Sequence, residues 1–381
     1  MIYLDNSATT RIDDRVFTAI EPWLREDYGN ASSVYALGRR ARVAVENARE
    51  EIAHLCGAHP AEIIFTSGGT ESNNFALKSA CVSSALARRL AVGATEHHAV
   101  LYPAEELRRR GAARVEILPV DAAGVVSLDA LASWNEPETM ISLMHANNET
   151  GVIQPIESAR KIASRAYLHT DAVQTFGKIP LNLQELQVDF ATLSAHKIHG
   201  PKGVGALFIR KGIDFKAWQQ GGAQERNRRA GTEAVALIVG FQIAARLAVQ
   251  EMAERADAMR ARTALLRQRL LENIPHIRLN TPPPENALPN ILNVSFTDAE
   301  GLDGEAILQA MDMRGIAVSN GSACVSGSLQ PSHVLLAMGL PAAEAKAAVR
   351  FSVSKDTSSE EVVQAASALA EILAEMRGAQ T

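Results

Sequence analysis

Seven short apolar runs of strand length punctuate the chain between residues 62 and 211: EIIFTSG (62–68), LAVGATEH (90–97), VEILPVD (115–121), MISLMHAN (140–147), YLHTDAVQ (167–174), FATLSAHK (190–197) and GVGALFIRK (203–211). Most are continuous rather than alternating, the pattern of strands covered on both faces. Helical stretches lie between several of them, as at 71–89 and 155–166. That strand–helix–strand rhythm predicts an α/β fold built on a mainly parallel sheet. The spacing from 167 to 211 is too tight for a helix at every crossover, so antiparallel strands are expected there.

From Thr232 to about Glu272 the pattern is helical and free of proline, which predicts one long helix of the kind that bridges two domains. A turn-rich break follows at Thr281-Pro282-Pro283-Pro284. The remainder reads as an α+β unit, with strands at 276–280, 290–296 and 349–354 and helices at 306–315, 333–339 and 358–376. A length of 381 residues fits about two domains. The formal net charge of −5 gives no basic footprint for nucleic acid or an anionic membrane. No apolar run reaches 18 residues, and MIYLDNSATT lacks the features of a signal peptide, so neither a membrane span nor export is expected. Three scattered cysteines build no disulfide framework or zinc site, and a reducing cytoplasm fits them.

Four constellations carry chemistry. Thr66-Ser67-Gly68-Gly69-Thr70-Glu71 joins a strand to a helix, where glycines and free N–H groups can cradle an anion; a plain helix cap on Ser67 or Thr70 is the alternative. LHTDAVQ and SAHKIHGPKG end strands at the edge where open α/β sheets bind ligands. Lys197 is there a candidate Schiff-base lysine, with Lys202 as its rival, and Asp171 can hold a pyridine nitrogen protonated or merely cap the next helix. Thr95-Glu96-His97-His98 offers an imidazole for stacking or proton transfer. Met144 to Gly151 runs into a polar turn, for which turn chemistry alone is a sufficient reading. Cys324 stands apart from Cys56 and Cys81 because small polar residues, NGSA before it and VSGS after it, argue against burial.

These segments, with YLDNSATT, GGAQERNRRAGTEAV, NGSACVSGSLQPSHVLLAMGL and VRFS, stand in the order found in cysteine desulfurases. Over residues 2 to about 355 the chain resembles the NifS/IscS-like class of those pyridoxal-phosphate enzymes. The resemblance implies fold type I, with a large domain (13–256) holding the mainly parallel mixed sheet and a small α+β domain (1–12 and 257–381) carrying the Cys324 loop. It implies pyridoxal 5′-phosphate bound covalently by Lys197, paired with Asp171 and Gln174, stacked by His97, and held at its phosphate by Gly69, Thr70, Ser194 and His196. Thr232 would reach the cofactor of a neighbouring subunit, making a homodimer. Asn148 and Arg350 would bind the carboxylate of L-cysteine, an arrangement sound on its own chemistry.

Cys324, as a thiolate, would take the substrate's sulfur as a persulfide and release alanine, with His97 as a candidate proton acceptor. The sulfur would pass to an iron–sulfur scaffold or another thiolation acceptor. No metal site is implied, beyond a cluster that Cys324 could share transiently with such a scaffold. Three positions depart from the common motifs: Ser7, Ala31 and Tyr35 replace Asn, Pro and His. The competing readings are another fold-type I enzyme, such as a selenocysteine lyase, and a non-catalytic sulfur-carrier or scaffold-binding protein. The Cys324 loop counts against the first, and intact Lys197, Asp171 and His97 count against the second.

Overall fold

The structure, a computed structural model, describes residues 1–320 and 330–378. Its strands are β1 (Ile2–Tyr3), β2 (Ile63–Thr66), β3 (Arg89–Gly93), β4 (Arg114–Leu118), β5 (Thr139–Ser142), β6 (Tyr167–Asp171), β7 (Phe190–Ser194), β8 (Gly205–Ile209), β9 (Ile277–Leu279), β10 (Ile291–Phe296), β11 (Ile316–Ala317) and β12 (Val349–Ser352). Strands β2 to β8 form one seven-stranded sheet in the order β2-β8-β7-β6-β5-β3-β4. All of β2, β5, β7 and β8 is buried, as their unbroken apolar runs require. The expected reversal is β8, antiparallel to both β7 and β2, while every other pairing in the sheet is parallel. The stretch between Ser194 and Gly205 is too short for a crossover helix, so the chain must turn back.

This topology decides where chemistry can happen. Because β8 runs against both neighbours, β2 points the same way as β7, and β2, β3, β5, β6 and β7 all end on one edge. The residues just beyond those ends are Gly68 to Thr70, Thr95 to His97, Met144 to Glu149, Asp171 to Gln174, and Ser194 to Lys197. That is the edge at which open α/β sheets collect ligand-binding groups.

The predicted single helix from Thr232 is instead two, Val235–Gln250 and Met252–Asn273, bent by 72°. Each half serves a different core. Val235, Ile238, Phe241 and Ala245 pack beneath the large sheet, whereas Met259, Leu266 and Leu270 belong to a second core with β10, β12 and the helix Ser359–Gly378. Glu251 sits at the break, held by Arg15 at 2.6 Å and Arg255 at 2.7 Å. A straight helix would have pulled one apolar stripe off its core. Among the described residues no single helix is long and apolar enough to cross a membrane.

The second core is closed by the antiparallel sheet β12-β10-β9. The N-terminus joins it, since β1 pairs in parallel with β11 and Leu4 is fully buried there. The chain then crosses back toward the large sheet. The backbone N–H of Ser7 donates to Ser352 Oγ at 2.8 Å, and that of Thr10 donates to the His196 carbonyl at 3.0 Å. Residues 5–10 are thereby pinned between the two cores. Cys56 and Cys81 are both buried, which pushes their thiols up to about 12 and leaves them inert.

Candidate active site

A cavity of about 370 Å³ opens at the shared strand edge, between the large sheet and the N- and C-terminal segments. It is lined by Gly69, Thr70, His97, Asn148, Asp171, Gln174, Ser194, His196, Lys197 and Arg350, ten of the residues singled out from sequence. Thr232 lies outside it, exposed, just before the helix Val235–Gln250. Cys324 falls outside the described residues. Lys202, the rival lysine, is exposed and does not line the cavity.

One end of the cavity is a set of donors. The helix Gly69–Lys78 starts here with Gly68 as its cap, at φ 151° and with no side-chain cap, so its first N–H groups remain available. Neither Ser67 nor Thr70 caps the helix. Glu71 turns away to pair with Arg229 at 2.8 Å. A Cβ on Gly69 would stand 2.8 Å from Val173 Cγ2, so this close approach needs glycine. Ser194 Oγ is buried without a hydrogen-bond partner. His196 Nδ1 lies 3.2 Å from Thr9 Oγ1, and burial brings the ring down to about 4, keeping it neutral.

The middle of the cavity holds an acid and an amine. Asp171, at the end of β6, accepts from Asn73 Nδ2 at 2.7 Å and from the Val173 N–H at 2.9 Å. It therefore caps the following turn and also faces the cavity. Lys197, in the single turn after β7, donates to the carbonyls of Ser7 at 2.6 Å and Ala8 at 2.5 Å. Burial first, and then the Arg350 charge, push its amine down to about 8. Gln174 is clamped at both ends of its amide: Lys178 Nζ donates to Oε1 at 2.9 Å, and Nε2 donates to the Ser7 carbonyl at 3.0 Å. His97 caps the helix His98–Arg109, with Nδ1 accepting from the Ala99 N–H at 3.0 Å.

The other end carries a buried guanidinium. Arg350 on β12 is only 4% exposed; it reaches Asp5 at 2.6 Å and the Asn148 carbonyl at 3.0 Å, and its Nε has no partner. Glu149 is buried and accepts from Ser332 Oγ at 2.5 Å; burial raises its carboxyl to about 7. Glu96, also buried, accepts from the Met144 N–H at 2.6 Å, and desolvation lifts it well above the carboxylate range.

Several groups here were not singled out from sequence. Asn73 lies one helical turn after Thr70 and shares its face, a spacing that could have flagged it. Lys178 reads as an ordinary surface lysine in GKIP, and nothing in its neighbours announces its burial. His333 reaches the cavity, and Asp5 reaches Arg350 on its wall, only through tertiary contacts.

Residues 2–364 match the aminotransferase class-V family. The cysteine desulfurase IscS of Dictyoglomus turgidum is 44% identical over 380 residues, covering 99% of this chain and 95% of that protein. The cysteine desulfurase NifS of Azotobacter vinelandii is 42% identical, with 99% and 93% covered. The chain belongs to the class-V aminotransferases, among the cysteine desulfurases. A solved NifS-like protein superposes with a TM-score of 0.90 at 39% identity, covering 98% of this chain and 99% of that one. SspA, solved in complex with cysteine, gives 0.80 at 32% identity, covering 93% and 99%. The fold is thus the fold-type I architecture expected, and the cofactor of the family is pyridoxal 5′-phosphate.

The cavity fits that cofactor. A phosphate suits the free helix N–H groups beside the orphaned Ser194 hydroxyl. A pyridinium suits buried Asp171, and an aldehyde suits the partly deprotonated amine of Lys197.

Proposed function

We propose that this desulfurase takes sulfur from L-cysteine and releases L-alanine, with Cys324 as the acceptor of the sulfur. The observation that carries the reading is the Lys197 amine sharing one cavity with the Asp171 carboxylate and the Arg350 guanidinium, whose charges both act on it. Bound pyridoxal phosphate supplies an electron sink that weakens the bond between the β-carbon and sulfur.

The chain's own residues do the rest. Gly69, Thr70, Ser194 and His196 hold the phosphate, and Asp171 keeps a proton on the ring nitrogen. Gln174 Nε2 donates toward the ring hydroxyl oxygen, its orientation fixed because Lys178 occupies Oε1. His97 stacks on the ring face. Arg350 and Asn148 bind the substrate's carboxylate, which directs its amino group toward Lys197. Lys197, poised near neutrality, gives and takes the proton at the substrate's α-carbon.

The assembly is read as a homodimer in which Thr232 reaches the neighbouring cofactor phosphate. Support comes from the exposed apolar side chains of Phe17, Leu24, Tyr28, Val34, Tyr35 and Val43, which a lone chain would leave in water. The two separate cores support a division into a large domain over 13–256 and a small domain over 1–12 and 257–381. The site of action is the cytoplasm, and the onward acceptor is an iron–sulfur scaffold or another thiolation protein. Alanine release from L-cysteine tests the reading: the parent enzyme should turn over, Lys197→Ala should not, and a parent protein that releases no alanine contradicts it.

A further inference from the structure

Three imidazoles share one wall of the cavity: His97 and His98 at the start of the helix His98–Arg109, and His333 at the start of the helix His333–Ala337. Their hydrogen bonds decide which nitrogen can act as a base. At His97 a backbone N–H donates to Nδ1, so the neutral ring carries its proton on Nε2 and has no uncommitted lone pair. His97 therefore offers the cavity a donor. At His333 the pattern is reversed: Nε2 lies 2.9 Å from the Glu96 carbonyl oxygen, which only accepts, so Nε2 carries the proton and Nδ1 the lone pair.

The surroundings keep His333 neutral. Its ring packs 4.7 Å from His98, which stacks on Tyr102 at 4.6 Å, and burial lowers both imidazoles from their ordinary value. The other ionisable groups around it are His97, the Glu149 carboxyl bound to the adjacent Ser332, the Glu96 carboxyl turned to Met144, and Lys197, Asp171 and Arg350 elsewhere on the cavity wall.

Held by its carboxylate on Arg350 and its amino group at Lys197, L-cysteine would leave its remaining substituent, the thiol arm, to the rest of the cavity lining, where the three imidazoles stand. Building on the desulfurase reading, we infer that Nδ1 of His333 is the base that receives the substrate's thiol proton. The attacking thiolate forms a sulfur–sulfur bond as the bond from sulfur to the β-carbon breaks, its electron pair staying with carbon. The thiol proton moves to His333 Nδ1 and from there to the β-carbon, which becomes the methyl group of alanine. Both sulfurs are oxidised to the persulfide level and the carbon is reduced, so no outside oxidant or reductant enters.

The test uses the cofactor-loaded enzyme and two variants. His333→Gln keeps an N–H for the Glu96 carbonyl but has no basic nitrogen. Its alanine release should fall about 10²-fold or more, and the loss of rate toward acid expected of the parent should be absent from its pH profile. L-Cysteine binding, read from the absorbance of the bound cofactor, should persist. His333→Ala should regain rate when free imidazole is added. A His333→Gln enzyme with the parent's rate and pH profile overturns the inference, as does a folded His333→Ala enzyme that imidazole leaves unchanged. A parent protein that releases no alanine at all sinks the desulfurase reading as well, so the two failures are distinguishable.

Discussion

Arg350, on the cavity wall, meets Asp5 at 2.6 Å behind it, joining residues from opposite ends of the chain. Asp5 is thus an internal rival for the guanidinium proposed to bind the substrate's carboxylate. Asp5→Asn should tighten L-cysteine binding, lowering KM several-fold, yet melt at a lower temperature because a buried cation loses its partner. Arg350→Lys should do the opposite to binding. A point charge cannot reproduce the planar fork, so KM should rise about tenfold or more with a smaller change in kcat. Steady-state alanine release and thermal melts check both.

Asn73 and Asp171 form a second pair worth separating. Asn73 Nδ2 supplies one of two donors to the carboxylate, at 2.7 Å. Hydrogen bonds to a charged group contribute about 1.5–3 kcal/mol, so Asn73→Ala should weaken pyridoxal-phosphate affinity by roughly tenfold or more. Asp171→Ala should weaken it further, because the ring nitrogen then loses its counter-charge. Titration of the apoprotein followed by visible absorbance measures each loss.

Much of this architecture was legible from residue order. Continuous apolar runs ending in Thr66, Asp171 and Ser194 already implied a buried parallel sheet with its polar groups at the strand ends. What periodicity could not reveal was the break at Glu251, because the residues on either side are equally helical and only the direction of the cores differs. For the same reason His333 and Asp5 escaped notice. Their roles depend on contacts with Glu96 and Arg350, far away in sequence. Lys178 is the sharpest case, a buried lysine whose amine burial pushes down to about 7, held by the carbonyl and amide oxygens of Gln174 with no local sign of burial.

Burial of Glu149 has a consequence for stability. Its folded carboxyl titrates at about 7 rather than 4.5, so between those values the folded chain holds a proton that the unfolded chain has released. That contribution is present in acid and is lost as pH rises toward 7. Glu149→Gln removes it, and the variant should melt a few degrees above the parent near pH 8, with the gap closing toward pH 5 (about 2–4 °C per kcal/mol is the usual scale for larger domains). Melting curves at both pH values check the sign. A gap that widened in acid would contradict the account.

Lys197 should declare its lowered affinity for protons in the apoprotein. Only the neutral amine reacts with an aldehyde, and the amine is pushed down to about 8. The rate of covalent uptake of added pyridoxal phosphate, followed by visible absorbance, should therefore rise with pH and level off just above a midpoint near 8. A midpoint near 10 would mean that burial does not tune this lysine.

The claim on which everything else rests is that sulfur leaves L-cysteine for Cys324. The direct measurement is peptide mass spectrometry after brief incubation of the cofactor-loaded enzyme with L-cysteine, run alongside alanine release. The account predicts one added sulfur atom on the peptide carrying Cys324, none on those carrying Cys56 or Cys81, and loss of turnover but not of cofactor colour in Cys324→Ser. A Cys324→Ser enzyme that still released alanine at the parent's rate would contradict it.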